Sequence, residues 1–226
     1  MSAGSGTSAV TAATTGRGVL AAWVVPAARA LVALIVGFAV TFTSAHSAAF
    51  GLVAFGLYAV VEGAVVGAGA IGDRTERRAR GLFLVQGILT VIAGIAALVL
   101  PEGGVPYFVW VVSAWAVVTG ALELVSGIRA RGRVAAARDW MIIGGLTLIL
   151  AIAFLIVPPD YRQALGGIEQ IKGELTASVV LVGIFGAWAI VAGALLGIAA
   201  VSARSPRPVT ESATKSTPRR AGKAAS

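Results

Sequence analysis

The pattern of apolar and polar residues divides the chain into six long apolar stretches separated by short polar turns. The stretches cover residues 26–45, 48–71, 81–100, 105–128, 140–158 and 177–202. Each is close to the roughly 20 residues that a helix needs to cross a bilayer. They are apolar on all sides and do not alternate, which excludes the strands of a membrane barrel. We therefore predict an all-α, polytopic membrane protein whose six transmembrane helices occupy residues 25–204.

The segments outside this domain are poor in bulky apolar residues. Residues 1–24 and 205–226 are predicted to be disordered tails, the second of them basic and rich in Pro, Ser and Thr. The C-terminal tail is either simply solvated or in contact with anionic lipid head groups. In the loop before the last stretch, apolar residues at helical spacing suit an interfacial amphipathic helix; these are Leu165, Ile168, Ile171 and Leu175.

Composition supports a bilayer as the solvent and limits the chemistry. The 226 residues are 58% hydrophobic and 12% charged, whereas soluble domains average roughly 25% charged residues. There is no Cys and one His, which excludes disulfides, thiolate chemistry and multi-histidine metal sites. No nucleophile–base pair or phosphate-binding loop occurs in the sequence. We predict no catalytic, cofactor or metal site, and no enzymatic activity.

The basic residues indicate the orientation. Of the 18 Lys and Arg residues, only Arg162 and Lys172 belong to the loops on one side; the others lie in or next to the tails and the loops on the opposite side. Because Lys and Arg are enriched in cytoplasmic loops, both termini are predicted to be cytoplasmic, in the cytoplasmic membrane of a bacterium. The same distribution explains the net charge of +8 without a nucleic-acid partner.

The sequence also repeats itself. Residues 113–131, SAWAVVTGALELVSGIRAR, resemble residues 186–204, GAWAIVAGALLGIAAVSAR. A shift of 57 positions places Tyr58 on Trp115 and Gly63 on Gly120. The preceding helices align on glycine, at Gly37, Gly87 and Gly145. We predict three repeated helical hairpins with one membrane orientation, arranged with rough threefold pseudosymmetry.

Glycines at equivalent positions are candidates for helix packing. Gly63–Gly67 and Gly193–Gly197 form GxxxG pairs, and Gly120 occupies the position of Gly63 in the middle hairpin. Small residues let two helix backbones approach closely within lipid. The pattern leaves open whether this face packs inside the chain or between subunits of a homo-oligomer.

Polar side chains inside the spans form a candidate site. Glu62 and Glu123 lie within apolar stretches, at a cost of at least about 2.5–3.5 kcal/mol for an ionised group near the bilayer centre. The repeat register places them on one helix face, and Gln86 lies at a depth that suits a hydrogen bond to Glu123. Burial favours the neutral form of Glu62. Arg29, near the start of the first span, is expected to extend to the head groups.

These acids have two interpretations. They either lock helices together through hydrogen bonds, or belong to a path for protons or cations through the bundle. Neither acid recurs in the other repeats, and no series of polar residues continues through the remaining depth. Both observations favour the lock.

A resemblance to a known family rests on the repeated units. Residues 87–101 follow the pattern G-I-L-x-V-x-x-G-x-x-A-L-x-x-P, and each unit continues with an aromatic residue, a glycine and a short basic loop. This resembles the HdeD family of acid-resistance membrane proteins. The resemblance implies a six-helix protein of the bacterial inner membrane with a role in acid stress and no catalytic motif.

Three functions therefore remain open. The first is a structural or stress-protective membrane protein. The second is a small transporter or proton- or cation-conducting protein that uses Glu62 and Glu123. The third is a subunit that binds a partner through its glycine faces.

Overall fold

The computed structural model describes residues 6–44, 46–72, 77–164 and 174–204, and within them the chain is almost entirely helical. The helices are α1 (Gly6–Phe42), α2 (Ala48–Gly72), α3 (Arg77–Val99), α4 (Gly104–Ala130), α5 (Ala137–Ile156) and α6 (Ala177–Arg204). All six contain a stretch long and apolar enough to cross a membrane, and in α1 this stretch is Trp23–Phe42. The prediction of an all-α, six-helix membrane protein is confirmed.

Turn residues fix several helix ends. Pro101 follows the end of α3, and Pro158 and Pro159 follow the end of α5. Proline lacks the backbone N–H that a helix interior uses, and it disfavours the helical conformation in the residue before it. Gly104 and Gly132, at the two ends of α4, have positive φ angles of 74° and 78°, a conformation that side chains with a Cβ rarely adopt.

The N-terminal tail differs from the prediction. The segment 1–24 is predicted to be disordered, whereas α1 begins within it, at Gly6, and continues without interruption into the apolar stretch Trp23–Phe42. The segment is rich in alanine, the strongest helix former, and contains no proline before Pro26. The predicted C-terminal tail, residues 205–226, lies outside the described residues.

The loop between α5 and α6 contains a small hairpin. Strand β1 (Arg162–Ala164) pairs antiparallel with β2 (Glu174–Thr176), and Arg162 lies opposite Thr176. Leu175 belongs to β2, so the amphipathic helix predicted for this loop does not include it. The rest of that prediction falls on residues 165–173, which are outside the described part of the chain.

The bundle has an inner and an outer ring of helices. Half of the residues in the apolar stretches of α2, α4 and α6 are buried, compared with 28%, 28% and 33% in those of α1, α3 and α5. The three inner helices contact one another, and each outer helix lies between two inner ones. This is the predicted threefold pseudosymmetry, with the second helix of each hairpin nearest the axis.

The most intimate packing joins helices from different hairpins. α2 packs most closely on α3, α4 on α5, and α6 on α1. The predicted hairpins are therefore pairs of helices that are consecutive in sequence, but they are not the most tightly packed pairs. Two of the tight pairs connect consecutive hairpins, and the third, α6 with α1, closes the ring. Near this closure the guanidinium of Arg204 lies 4.8 Å from the ring centroid of Trp23.

Glycine makes these tight pairs possible. A Cβ placed on Gly63 would lie 2.6 Å from the carbonyl oxygen of Gly87, and one on Gly120 would lie 2.9 Å from that of Gly144. A Cβ on Gly193 would meet Leu34 at 2.7 Å. The glycine face thus packs within the chain, which answers the question that the sequence left open for these three positions.

The second glycine of each GxxxG pair has a smaller role. A Cβ on Gly67 would have no atom within 4 Å, and one on Gly197 would only reach Ala30 Cβ at 4.0 Å. Gly67 still matters as a partner, because its backbone nitrogen lies 2.9 Å from the position of a Cβ on Gly87.

The contacts also correct the alignment of the outer helices. Gly63, Gly120 and Gly193 face the carbonyl oxygens of Gly87, Gly144 and Ala30, respectively. Ala30 and Gly144 are therefore the counterparts of Gly87, and the predicted counterparts Gly37 and Gly145 are wrong. The sequence alignment was wrong here because it matched glycine to glycine. In α1 the residue that makes this contact is Ala30, and alanine is small enough for it.

A cluster of aromatic rings fills the axis. Tyr58, Trp115 and Trp188, which the repeat aligns, meet edge to face with centroid distances of 5.6–6.0 Å. Phe55 and Phe185 join the same cluster. Edge-to-face pairs add roughly 0.5–1.5 kcal/mol each beyond area burial, so this layer stabilises the core of the bundle.

Candidate functional site, a buried ion-pair cluster

One to two helical turns from the aromatic layer, the sequence provides a set of inward-facing polar residues. On α2, Glu62 follows Tyr58 by four positions, and on α4, Glu123 follows Trp115 by eight. Residues at this spacing lie on one face of a helix. Both carboxylates are buried, with relative exposures of 3% and 2%. The predicted common face is therefore observed, and both acids point into the bundle.

Arg29 of α1 joins the two acids. Its Nε donates to Glu62 Oε1 at 2.6 Å. Its Nη1 and Nη2 donate to Glu123 Oε1 and Oε2 at 2.8 and 3.2 Å, a bidentate pair. The guanidinium thus connects three helices, α1, α2 and α4, by charge-assisted hydrogen bonds.

The expected position of Arg29 is wrong. The residue does not extend to the head groups; it is 7% exposed and lies in the interior. It is six residues past Trp23, where the apolar stretch of α1 begins, which is about 9 Å along the helix. A membrane-embedded guanidinium is stable there because the two acids accept its hydrogen bonds and supply the opposing charge.

Gln86 completes the cluster from α3. Its Nε2 donates to Glu123 Oε2 at 3.2 Å, the hydrogen bond expected from its depth. The same helix turn is tied to α4 by a second contact, in which Trp115 Nε1 donates to Thr90 Oγ1 at 3.2 Å. Thr90 Oγ1 in turn donates to the Gln86 carbonyl oxygen at 2.8 Å.

The repeat register explains how the cluster is built. Because Ala30, Gly87 and Gly144 are equivalent, the preceding residues Arg29, Gln86 and Ile143 occupy one position in the three outer helices. All three are buried. The cluster is thus one pseudosymmetric layer, to which α1 contributes the cation of Arg29, α3 the side-chain amide of Gln86 and α5 the apolar side chain of Ile143.

Sequence reasoning missed Arg29, although a signal was present. Two acids inside spans need a partner, since an uncompensated charge is costly in lipid. Arg29 was the basic residue deepest inside an apolar stretch, but its position near the start of that stretch suggested the membrane surface instead. A comparison of its depth with those of Gln86 and Glu123 would have identified it.

Not every polar atom of the layer has a partner. Glu62 Oε2 and Gln86 Oε1 are buried and accept no hydrogen bond, and the indole Nε1–H of Trp188 is buried and donates none. Buried side-chain atoms of this kind are rare and call for an explanation. Within the described residues, no three or more His, Asp or Glu side chains form a group that could hold a metal ion.

Comparison with known families agrees with the repeat. The model of the family described as short repeat of unknown function (DUF308) matches residues 28–96, 85–156 and 174–210. The chain belongs to this family. The DUF308 matches cover most of the membrane domain: Arg29, Glu62 and Gln86 fall in the first match, and Glu123 in the second. No curated protein matches, and no solved structure does.

Proposed function

We propose that this DUF308 protein is a non-enzymatic, HdeD-like integral membrane protein that protects the bacterial cytoplasmic membrane under acid or related stress. The resemblance of residues 87–101 to the HdeD pattern supports the family assignment at this finer level. The three DUF308 matches support the repeat architecture on which the resemblance rests.

The observation that supports a lock between helices is the set of hydrogen bonds that Arg29 donates. Its guanidinium connects both intramembrane acids, with Nε on Glu62 and both Nη atoms on Glu123. Arginine keeps its positive charge at all physiological pH values. A fixed cation at this point disfavours the passage of other cations, whereas it suits a lock that holds α1 against α2 and α4.

A second candidate, proton or cation conduction, has one observation in its favour. The layer contains two carboxyl groups for one guanidinium, and Glu62 Oε2 has no partner. Against it stands the adjacent aromatic layer, where Tyr58, Trp115 and Trp188 fill the axis. A continuous path would require these rings to move.

A survival assay at low external pH tests the protective function. We expect a deletion strain to lose viability relative to wild type, and plasmid-borne wild-type protein to restore it. Variants Glu62→Gln and Glu123→Gln should also restore it where they accumulate to wild-type levels, because a lock needs hydrogen bonds and amides provide them. Equal survival of deletion and wild type would refute the protective role.

Proton flux in liposomes separates the two candidates. Wild-type protein and Glu62→Gln should show the same flux as protein-free vesicles if the cluster is a lock. A wild-type flux that disappears in Glu62→Gln, with unchanged insertion, would establish conduction instead.

We also propose that both termini are cytoplasmic. The supporting observation is the charge of the loops, with Arg129, Arg131 and Arg133 on one side and Glu102 and Asp160 on the other. The chain has no Cys, so single cysteines can be introduced cleanly. A membrane-impermeant maleimide should label Arg131→Cys only after cell lysis. It should label Asp160→Cys without lysis, once the cell envelope outside the cytoplasmic membrane has been permeabilised. The opposite labelling pattern would reverse the topology.

A further inference from the structure

The charges of the buried cluster do not balance. Arg29, Glu62 and Glu123 are all less than one-tenth exposed, and one guanidinium faces two carboxyl groups. With both acids ionised, the layer would carry a net negative charge inside the membrane domain. An uncompensated charge at such depth costs several kcal/mol, so a neutral layer is strongly favoured.

The polar groups that the described residues place around Glu62 do not supply the missing positive charge. The adjacent helix α3 contributes the uncharged Gln86, and the aligned positions of α6 are Ala192 and Leu196. Tyr58, one turn away on α2 itself, is neutral in its ordinary form. Arg29 from α1 and Glu123 from α4 are already in the cluster. The compensation must therefore come from a bound species.

We propose that Glu62 Oε2 is the site of one bound proton, so that the cluster consists of the Arg29 cation, the Glu123 anion and a neutral Glu62 carboxylic acid. The proton comes from the aqueous phase and is held by an O–H bond at Oε2. The layer then has no net charge. This inference does not rest on the proposed function, since a lock and a conductor are both compatible with it.

The hydrogen bonds assign the proton to Glu62 and not to Glu123. Both oxygens of Glu123 accept hydrogen bonds, from two nitrogens of Arg29 and from Gln86 Nε2. An added hydrogen on Glu123 would have to displace one of these three donors. Glu62 accepts a single bond, at Oε1, and its Oε2 is buried without a partner. That oxygen is where an additional hydrogen is accommodated.

The adjacent helix contributes a second buried oxygen that has no hydrogen-bond partner. Gln86 Oε1 is also buried without a partner. Gln86 and Glu62 directly precede Gly87 and Gly63, the pair through which α3 and α2 make their backbone contact. A proton on Glu62 provides a donor in a place where the described side chains leave acceptors unpaired.

A metal cation fits the cluster less well. Hard cations take about six or more oxygen ligands, whereas the unpaired oxygens here are Glu62 Oε2 and Gln86 Oε1. The guanidinium 2.6 Å from Glu62 Oε1 also repels a second cation on that carboxyl group. A proton needs only one oxygen and no coordination shell.

Infrared spectroscopy of the purified protein in lipid nanodiscs at neutral pH tests the proposal. A protonated carboxyl group has a carbonyl stretch separate from those of carboxylates and amides, and the band shifts in D₂O and on ¹³C labelling of glutamate. We expect the wild-type protein to show one such band. Glu62→Gln should lose it, and Glu174→Gln should retain it, because Glu174 is a half-exposed acid paired with Arg162.

Glu123→Gln distinguishes charge balance from simple burial. With Glu123 neutral, Arg29 has one acid left, so Glu62 should ionise and the band should disappear. Retention of the band in this variant would show that Glu62 is neutral for another reason and would overturn the proposal. Absence of the band in wild type would overturn the proposal as well. If the band were absent with sodium present and appeared when sodium was removed, a bound cation would occupy the place of the proton.

Discussion

Replacing Arg29 with methionine is expected to destabilise the protein by about 3–5 kcal/mol, the usual cost of removing one partner from a buried ion-pair cluster. The change removes all three hydrogen bonds that connect α1 to Glu62 and Glu123. It also leaves both acids buried without a cation. Stability can be measured by thermal or steric-trap unfolding in detergent, followed by tryptophan fluorescence.

An exposed ion pair provides the matched control for this variant. Arg162 lies 3.9 Å from Glu174, and their side chains are 73% and 50% exposed. Arg162→Met should change stability by less than about 1 kcal/mol, because water screens such pairs. In addition, the triple variant Arg29→Met, Glu62→Met, Glu123→Met should recover most of the lost stability, since an apolar layer has no charge to compensate. Equal effects of Arg29→Met and Arg162→Met would contradict the role assigned to the cluster.

Replacing Gly144 with valine is the second change with a large expected effect. A Cβ on Gly144 would lie 2.5 Å from the backbone nitrogen of Leu124 and 2.7 Å from the Gly120 carbonyl oxygen. Backbone atoms of a packed helix cannot move aside, so α4 and α5 must separate. Overpacking of this kind costs about 1–3 kcal/mol, and more where the backbone has to shift.

The neighbouring glycine is the control. A Cβ on Gly145 would have no atom within 4 Å, so Gly145→Val should be nearly neutral in the same unfolding assay. A closer comparison uses alanine at both positions: Gly144→Ala should destabilise, whereas Gly145→Ala should be neutral or slightly stabilising because alanine favours helix. A reversed order would mean that Gly145, as the sequence alignment suggested, makes the contact.

Much of this architecture follows from the sequence alone. Long stretches that are apolar on all sides can satisfy their backbone groups within lipid only as helices, so the six spans could be predicted within a few residues. The shared spacing of Tyr58 with Trp115 and of Gly63 with Gly120 then indicated the repeat. The common face of Glu62 and Glu123 follows from the helical period and the same register.

The tertiary structure decided the partners. Sequence periodicity gives the face of a helix but not which helix lies against it, so the closure of α6 on α1 and the contact of Gly144 with α4 were not predictable. Arg29 shows the same limit most clearly. Its distance along α1 allowed either the membrane surface or the interior, and only the packing of α1 beside α2 and α4 places its guanidinium between two carboxylates. Lipid solvation made the helices predictable one at a time, whereas compensation of a buried charge depends on several helices at once.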